Sequence, residues 1–324
     1  MMPKLLWSVA LVLLASGPPA ARQLPVFRGG AQTVPVYATV LDGQGRLVPG
    51  LTRRDFTVLD NGAAVDITTF SNDIMPVSLV LLLDMSASMA GEHARVQQAA
   101  LRFVDALLPE DRVRVGTFGD EIAMSPLLTS DKDLLRRVLR EEVWPGGGTP
   151  LWSAMRAAMR SLDGVAGRRV LLILSDGIDT GCPTLIGSAE PAPVPALPLA
   201  ISPGQRAAAL LAGGVTDPRC SSLSEVEQLA SAGEFMTYAI GMEGPGMMGG
   251  LERLPDETGG GHFELKRNAD LATTFAQVAD ELHHQYAIGF SPSVLDGLTH
   301  RLDVRLTNRA LVARARKSYL AADR

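Results

Sequence analysis

The stretch Leu81-Leu82-Leu83-Asp84-Met85-Ser86-Ala87-Ser88-Met89 sets an apolar run directly against one carboxylate and two hydroxyls. The run starts near Ser78, and a second one over residues 170–174 ends in Ser175-Asp176-Gly177. Continuous apolar runs of this length fit strands buried on both faces, as in a parallel sheet. Helical patterns alternate with them. Val96, Ala100, Phe103 and Leu107 share one helical face, and residues 113–118 read as a strand. Ser130 with Asp133 resembles a capping box ahead of Leu134, Leu135, Val138 and Leu139. Thr149-Pro150 reads as N-cap and first helical residue, with Leu151, Ala154, Ala158 and Leu162 along one side. Further on come helices over 225–232 and 271–283 and strands over 236–240 and 262–265. This alternation predicts an α/β fold: a doubly wound, mostly parallel sheet with helices on both faces.

Ligands of such sheets bind beyond the carboxyl ends of the strands, where strand order reverses. Asp84 and Asp176 both end strands, and two carboxylates in that crevice repel unless a cation joins them. Ser86 and Ser88 add hydroxyl oxygens. Thr149, after Gly146-Gly147-Gly148, adds a third. All are hard oxygen donors, which suits Mg²⁺, with Mn²⁺ or Ca²⁺ as alternatives, rather than zinc. Asp120 and Asp179 fall near the same face and read as solvated loop acids. An Asp-x-Ser-x-Ser match alone is weak; its strand context and the ordered Thr149 and Asp176 make it specific.

The set resembles the metal-ion-dependent adhesion site of the von Willebrand factor type A domain, with Asp84, Ser86 and Ser88 in its first motif, then Thr149, then Asp176. The resemblance covers residues 77–266. It implies a Rossmann-like fold, a Mg²⁺ held by those five residues, and a protein ligand whose Asp or Glu carboxylate completes the ion's coordination. The flanks are similar to an exported acidobacterial subgroup of von Willebrand type A-related proteins. There a stretch like GLTRRDFTVLDNG (residues 50–62) precedes the domain, and a tail like YAIGFSP, DGLTHRLDVRL and ARKSYL follows it.

Enzymatic readings fare worse. An aspartyl-phosphate hydrolase needs an acid two residues after its nucleophile, and that position is Ser86. Gly-x-Ser-x-Gly and His-Glu-x-x-His are absent, and Gly146-Gly147-Gly148 lacks the Lys-Ser/Thr of a P-loop. His283 and His284 are adjacent at a helix end, so their side chains diverge. The expectation is therefore a protein-binding or adhesion module, not an enzyme. The alternative is a structural or assembly subunit with a stabilising or vestigial metal site, and a metal-dependent hydrolase ranks third.

The 324 residues carry a net charge of −5 and no basic stripe, which argues against nucleic acid as a partner. Lys4, the apolar residues 5–15 and the small residues after them follow signal-peptide order, with a cut after Gly17 or Ala21. The apolar run is too short to span a bilayer, and no cysteine near the cut supports a lipid anchor. The expectation is a signal peptide over 1–21, a linker over 22–33 and an exported mature chain, periplasmic or secreted, without a membrane span. Residues 34–73 alternate as a small β-unit with an Asn61-Gly62 hairpin turn. Residues 182–220 form a Pro-rich insertion bounded by the two cysteines, Cys182 and Cys220, whose pairing stays open. Met242, Met247 and Met248 read as part of a Gly-rich connection. The tail over 267–324 reads as a helix and β-segments that either extend the main sheet or rejoin the β-unit.

Overall fold

The computed structural model describes residues 33–141, 146–181, 220–242, 250–265 and 270–322. The expected signal peptide, the expected linker up to residue 32, residues 182–219 of the expected insertion, and Met247 and Met248 lie outside them. Cys220 enters a disulfide; the chain's other cysteine, Cys182, also lies outside the described residues.

Four strands precede the apolar run: β1 (Val34–Leu41), β2 (Phe56–Asp60), β3 (Ala63–Val65) and β4 (Ile67–Ser71). Asn61 and Gly62 have φ of 47° and 86°, the left-handed pair that a tight hairpin between β2 and β3 requires. The next six strands build the central sheet: β5 (Ser78–Asp84), β6 (Arg112–Phe118), β7 (Ile122–Met124), β8 (Arg169–Ser175), β9 (Met236–Met242) and β10 (His262–Leu265). Their order is β10-β9-β8-β5-β6-β7, all parallel except β7, which runs antiparallel to β6. Every residue of β5 is buried because both faces are covered. Leu79, Leu81 and Leu83 pack on helices α1 (His93–Ala106) and α2 (Lys132–Glu141). Val80 and Leu82 face the other way, onto α3 (Leu151–Arg160), α4 (Leu223–Ala232) and α5 (Arg253–Thr258). The last helix, α6 (Leu271–His283), joins α1 and α2 on the first face. The doubly wound fold is as the apolar runs predict.

Two helix starts differ from the sequence expectation. The cap of α2 is Asp131, not Ser130: its Oδ1 accepts the amides of Asp133 and Leu134 at 2.9 and 3.0 Å. Helix α3 starts at Leu151 rather than Pro150, and its Leu151 amide is bound by a distant side chain, Asp179.

The tail rejoins the amino-terminal strands. It supplies β11 (Tyr286–Phe290), β12 (Thr299–Leu306), β13 (Val312–Arg314) and β14 (Ser318–Leu320). Two four-stranded sheets result, β13-β1-β11-β4 and β14-β12-β2-β3. They enclose one core that includes Val36, Val58, Ile288, Phe290 and Leu302. The α/β domain is thus inserted between β4 and β11 of a small sandwich, and β4 and β11 are paired neighbours. Buried polar side chains join the two units. Arg168 donates to the Leu282 carbonyl at 2.9 Å and to the Gln285 side chain. Gln285 donates in turn to Thr39 Oγ1 at 2.8 Å and Tyr238 OH at 3.2 Å. These bonds satisfy groups that burial would otherwise leave costly.

Candidate metal centre

Asp84 closes β5 beside β8, at the place where strand order reverses: the chain leaves β5 for β6 on one side and returns to β8 on the other. Its side chain is 0% exposed. Oδ1 accepts the Ser86 amide at 3.0 Å and Oδ2 accepts the Ser175 hydroxyl at 2.6 Å. Burial pushes its carboxyl above the usual range; hydrogen bonds from Ser175 and Ser86 oppose this, and the Asp176 charge adds to it. Among the described residues, the groups acting on Asp84 are hydroxyls, an amide and a second carboxylate, with no cation among them.

Ser86 is buried and Ser88 exposed, with their hydroxyl oxygens 3.0 Å apart. Asp176 is buried just past β8, and its Oδ1 accepts the Ile178 amide at 3.1 Å. Thr149, also buried, sits in a loop stitched to both neighbours. On one side the Gly146 amide donates to the Met85 carbonyl at 2.9 Å and the Ala87 amide to the Gly147 carbonyl at 3.1 Å. On the other, the Thr149 amide donates to Thr180 Oγ1 at 2.7 Å, and the Thr180 amide returns to the Thr149 carbonyl at 2.9 Å. The structure therefore gathers Asp84, Ser86, Ser88, Thr149 and Asp176 on one rim of the sheet.

Other residues shape the rim in ways that sequence reading does not assign. Ser175 fixes Asp84 and also accepts the Gly177 amide at 3.0 Å. Its only sequence signal is its place before the Asp-Gly turn. Asp120 and Asp179 are exposed, as expected of loop acids, yet each accepts a backbone amide of the Thr149 segment. Although Asp179 is exposed, partial desolvation by the surrounding loops raises its carboxyl above the ordinary range, against the pull of the Leu151 amide.

The donor set fits a hard divalent ion on its chemistry: a buried carboxylate without a cationic partner, a second carboxylate, and neutral hydroxyls between them. Among the described residues no three His, Cys, Asp or Glu side chains converge as a metal cluster, so a cation held here would need hydroxyl oxygens beside the two carboxylates.

Residues 79–178 match the family described as von Willebrand factor type A domain. No curated protein matches the chain significantly. Among solved structures, the chain is similar to a von Willebrand factor type A protein from Catenulispora acidiphila, with 13% identity over 91% of this chain and 74% of that one at a TM-score of 0.46. It is also similar to the vWF domain of the type V pili tip protein Mfa5 from Porphyromonas gingivalis, with 16% identity over 64% of this chain and 95% of that one at a TM-score of 0.43. The PilB minor pilin from Streptococcus sanguinis aligns at 15% identity and a TM-score of 0.43, over 66% of this chain, which spans 63% of the pilin's length. The matched family segment runs from β5 to the turn after β8 and contains all five rim residues, within a doubly wound sheet closed by one antiparallel strand. The chain carries a von Willebrand factor type A domain.

Proposed function

We propose that this chain is an exported protein-binding module. Its von Willebrand factor type A domain holds a divalent cation, Mg²⁺ foremost, on Asp84, Ser86, Ser88, Thr149 and Asp176, and recruits an Asp or Glu carboxylate from a partner protein. The observation that carries this is Asp84: a fully buried carboxylate at the strand-order switch, beside a second carboxylate, met among the described residues by neutral donors alone. When bound, the cation supplies an electrophilic point for the partner's carboxylate. Ser86, Ser88 and Thr149 bring no negative charge, so the ion keeps its pull on an incoming anion. Ser175 holds Asp84 in one orientation. Ser86 stands where a phosphohydrolase would keep its second acid, which favours binding over catalysis. No helix among the described residues is long and apolar enough to cross a membrane.

The test is capture of partners from the native cell envelope, with Mg²⁺ and then with chelator, using wild type and Asp84→Ala. Metal-dependent capture lost in Asp84→Ala, with melting in chelator unchanged from wild type, is the expected result. Identical captured proteins under all conditions would sink the proposal. A large melting drop with capture retained would turn the reading to a structural cation.

A further inference from the structure

The loop that carries Thr149 is held by side chains from two other strand ends. From the loop after β6, Asp120 Oδ1 accepts the Gly148 amide at 3.1 Å. From the loop after β8, Thr180 Oγ1 accepts the Thr149 amide at 2.7 Å and Asp179 Oδ1 accepts the Leu151 amide at 2.9 Å. Three backbone amides of one short segment thus end on three side chains, none of them in the five-residue donor set. The glycines explain why such holding is needed. A Cβ on Gly147 would lie 1.7 Å from Asp120 Oδ1, so only glycine admits the carboxylate there. A run of glycines also leaves the backbone before Thr149 with wide conformational freedom. Something outside the loop has to remove that freedom if the Thr149 hydroxyl is to keep one place.

We propose that Asp120 is a positioning residue for the cation site: through the Gly148 amide it fixes the backbone that presents Thr149. In this proposal Asp120 acts through the amide and not as a ligand: it is solvent-exposed, whereas the two carboxylates of the donor set, Asp84 and Asp176, are buried. Thr180 and Asp179 secure the other side of the same segment. For its metal readout this inference rests on the cation reading above; its second readout uses backbone amides alone.

The experiment compares full-length wild type, Asp120→Asn and Asp120→Ala, with Mn²⁺ alone as the probe in titration calorimetry. Asparagine keeps an oxygen acceptor for the Gly148 amide and loses the charge; alanine loses both. The expected result is Mn²⁺ affinity within about threefold of wild type for Asp120→Asn and weaker by about 10–100-fold for Asp120→Ala, the range typical when an outer-shell support of a metal site is removed. Equal losses in the two variants would mean that Asp120 acts by charge or as a ligand, and no loss in Asp120→Ala would mean that it positions nothing; either overturns the proposal. Amide hydrogen exchange in chelator supplies the independent readout. Gly148 exchanges faster in Asp120→Ala than in wild type and Asp120→Asn if the carboxylate holds the loop, and unchanged exchange refutes it. If wild type itself binds no Mn²⁺, the cation reading fails separately, and exchange at Gly148 still decides whether Asp120 holds the loop.

Discussion

Buried carboxylates are treated in opposite ways in the two halves of the molecule. In the sandwich, Asp60 is bound by His300 Nδ1 at 2.8 Å and by the Tyr319 hydroxyl at 2.8 Å. At the base of the α/β domain, Asp111 meets His283 Nε2 at 2.7 Å together with the amides of Val77 and Leu108. Between the two units, Glu281 is paired with Arg314. At the opposite rim, the groups described around Asp84 are an amide, two hydroxyls and a second acid. An unpaired buried charge is expensive, and proteins pair such groups or place them against metals. The lower half pairs its acids within the chain, whereas the groups described around Asp84 include no cation, and under the proposed function a bound ion would supply one. That contrast is the physical ground of the proposed function.

Four measurements break or sharpen it. The largest effect belongs to Arg314→Met, which strands Glu281, 1% exposed, without its cation. It is expected to lose about 3–5 kcal/mol in urea denaturation, the usual penalty for breaking a buried pair. A loss under about 1 kcal/mol would show that the lower half is not internally balanced. Next, Mg²⁺ at about 100 times its dissociation constant should stabilise wild type by about 2.7 kcal/mol and leave Asp84→Ala unchanged, read as melting with and without chelator. Third, in chelator Asp60→Asn should cost about 1–3 kcal/mol by unsettling His300 and Tyr319, while Asp84→Asn should melt no lower than wild type. If both variants destabilise alike, the two kinds of carboxylate are not distinct.

The smallest effect is a pH slope. Burial lowers the His300 pKa, but hydrogen bonds and charge from Asp60 and Asp296 outweigh it, so the net shift is upward. A histidine raised in the folded state contributes stability that is full below the unfolded value of about 6.5 and is lost as pH rises through the folded one. Melting should therefore fall between about pH 6 and about pH 8 in wild type, and His300→Gln should flatten that stretch of the slope. An unchanged slope in the variant would remove His300 from the account.

The α/β domain is legible in the sequence because its signals are local. The uninterrupted run in β5 reads as a two-sided strand, and its odd and even residues do divide between two cores. The five proposed donors can be picked out because four of them sit at strand ends or in a motif of fixed spacing and the fifth follows a glycine run. What stays hidden depends on distance between loops. Local pattern misplaces the start of α3 because Asp179, a residue from another strand end, caps it. It favours Ser130 over Asp131 because a capping-box pattern does not weigh the competing carboxylate beside it. The destination of the tail is ambiguous because alternation fixes a strand's faces and not its partner, and Val34 pairs with Phe290 from the far end of the chain. The roles of Ser175, Asp120 and Thr180 follow no local pattern; they matter through what lies opposite them.

The inserted arrangement of the two units also sets how load would travel. The α/β domain is reached through the residues after β4 and left through α6 into β11, and Ser71 faces Ala287 across that junction. A partner pulling on the rim would therefore draw on two adjacent stems at one point of the sandwich. If the chain were anchored through the residues before Val34, the pull would reach β1 at the Phe290 end of its ladder and β11 at the Ala38 end. The two strands would be drawn past each other lengthwise. Their hydrogen bonds, perpendicular to the strands, would then share the tension together rather than break in succession.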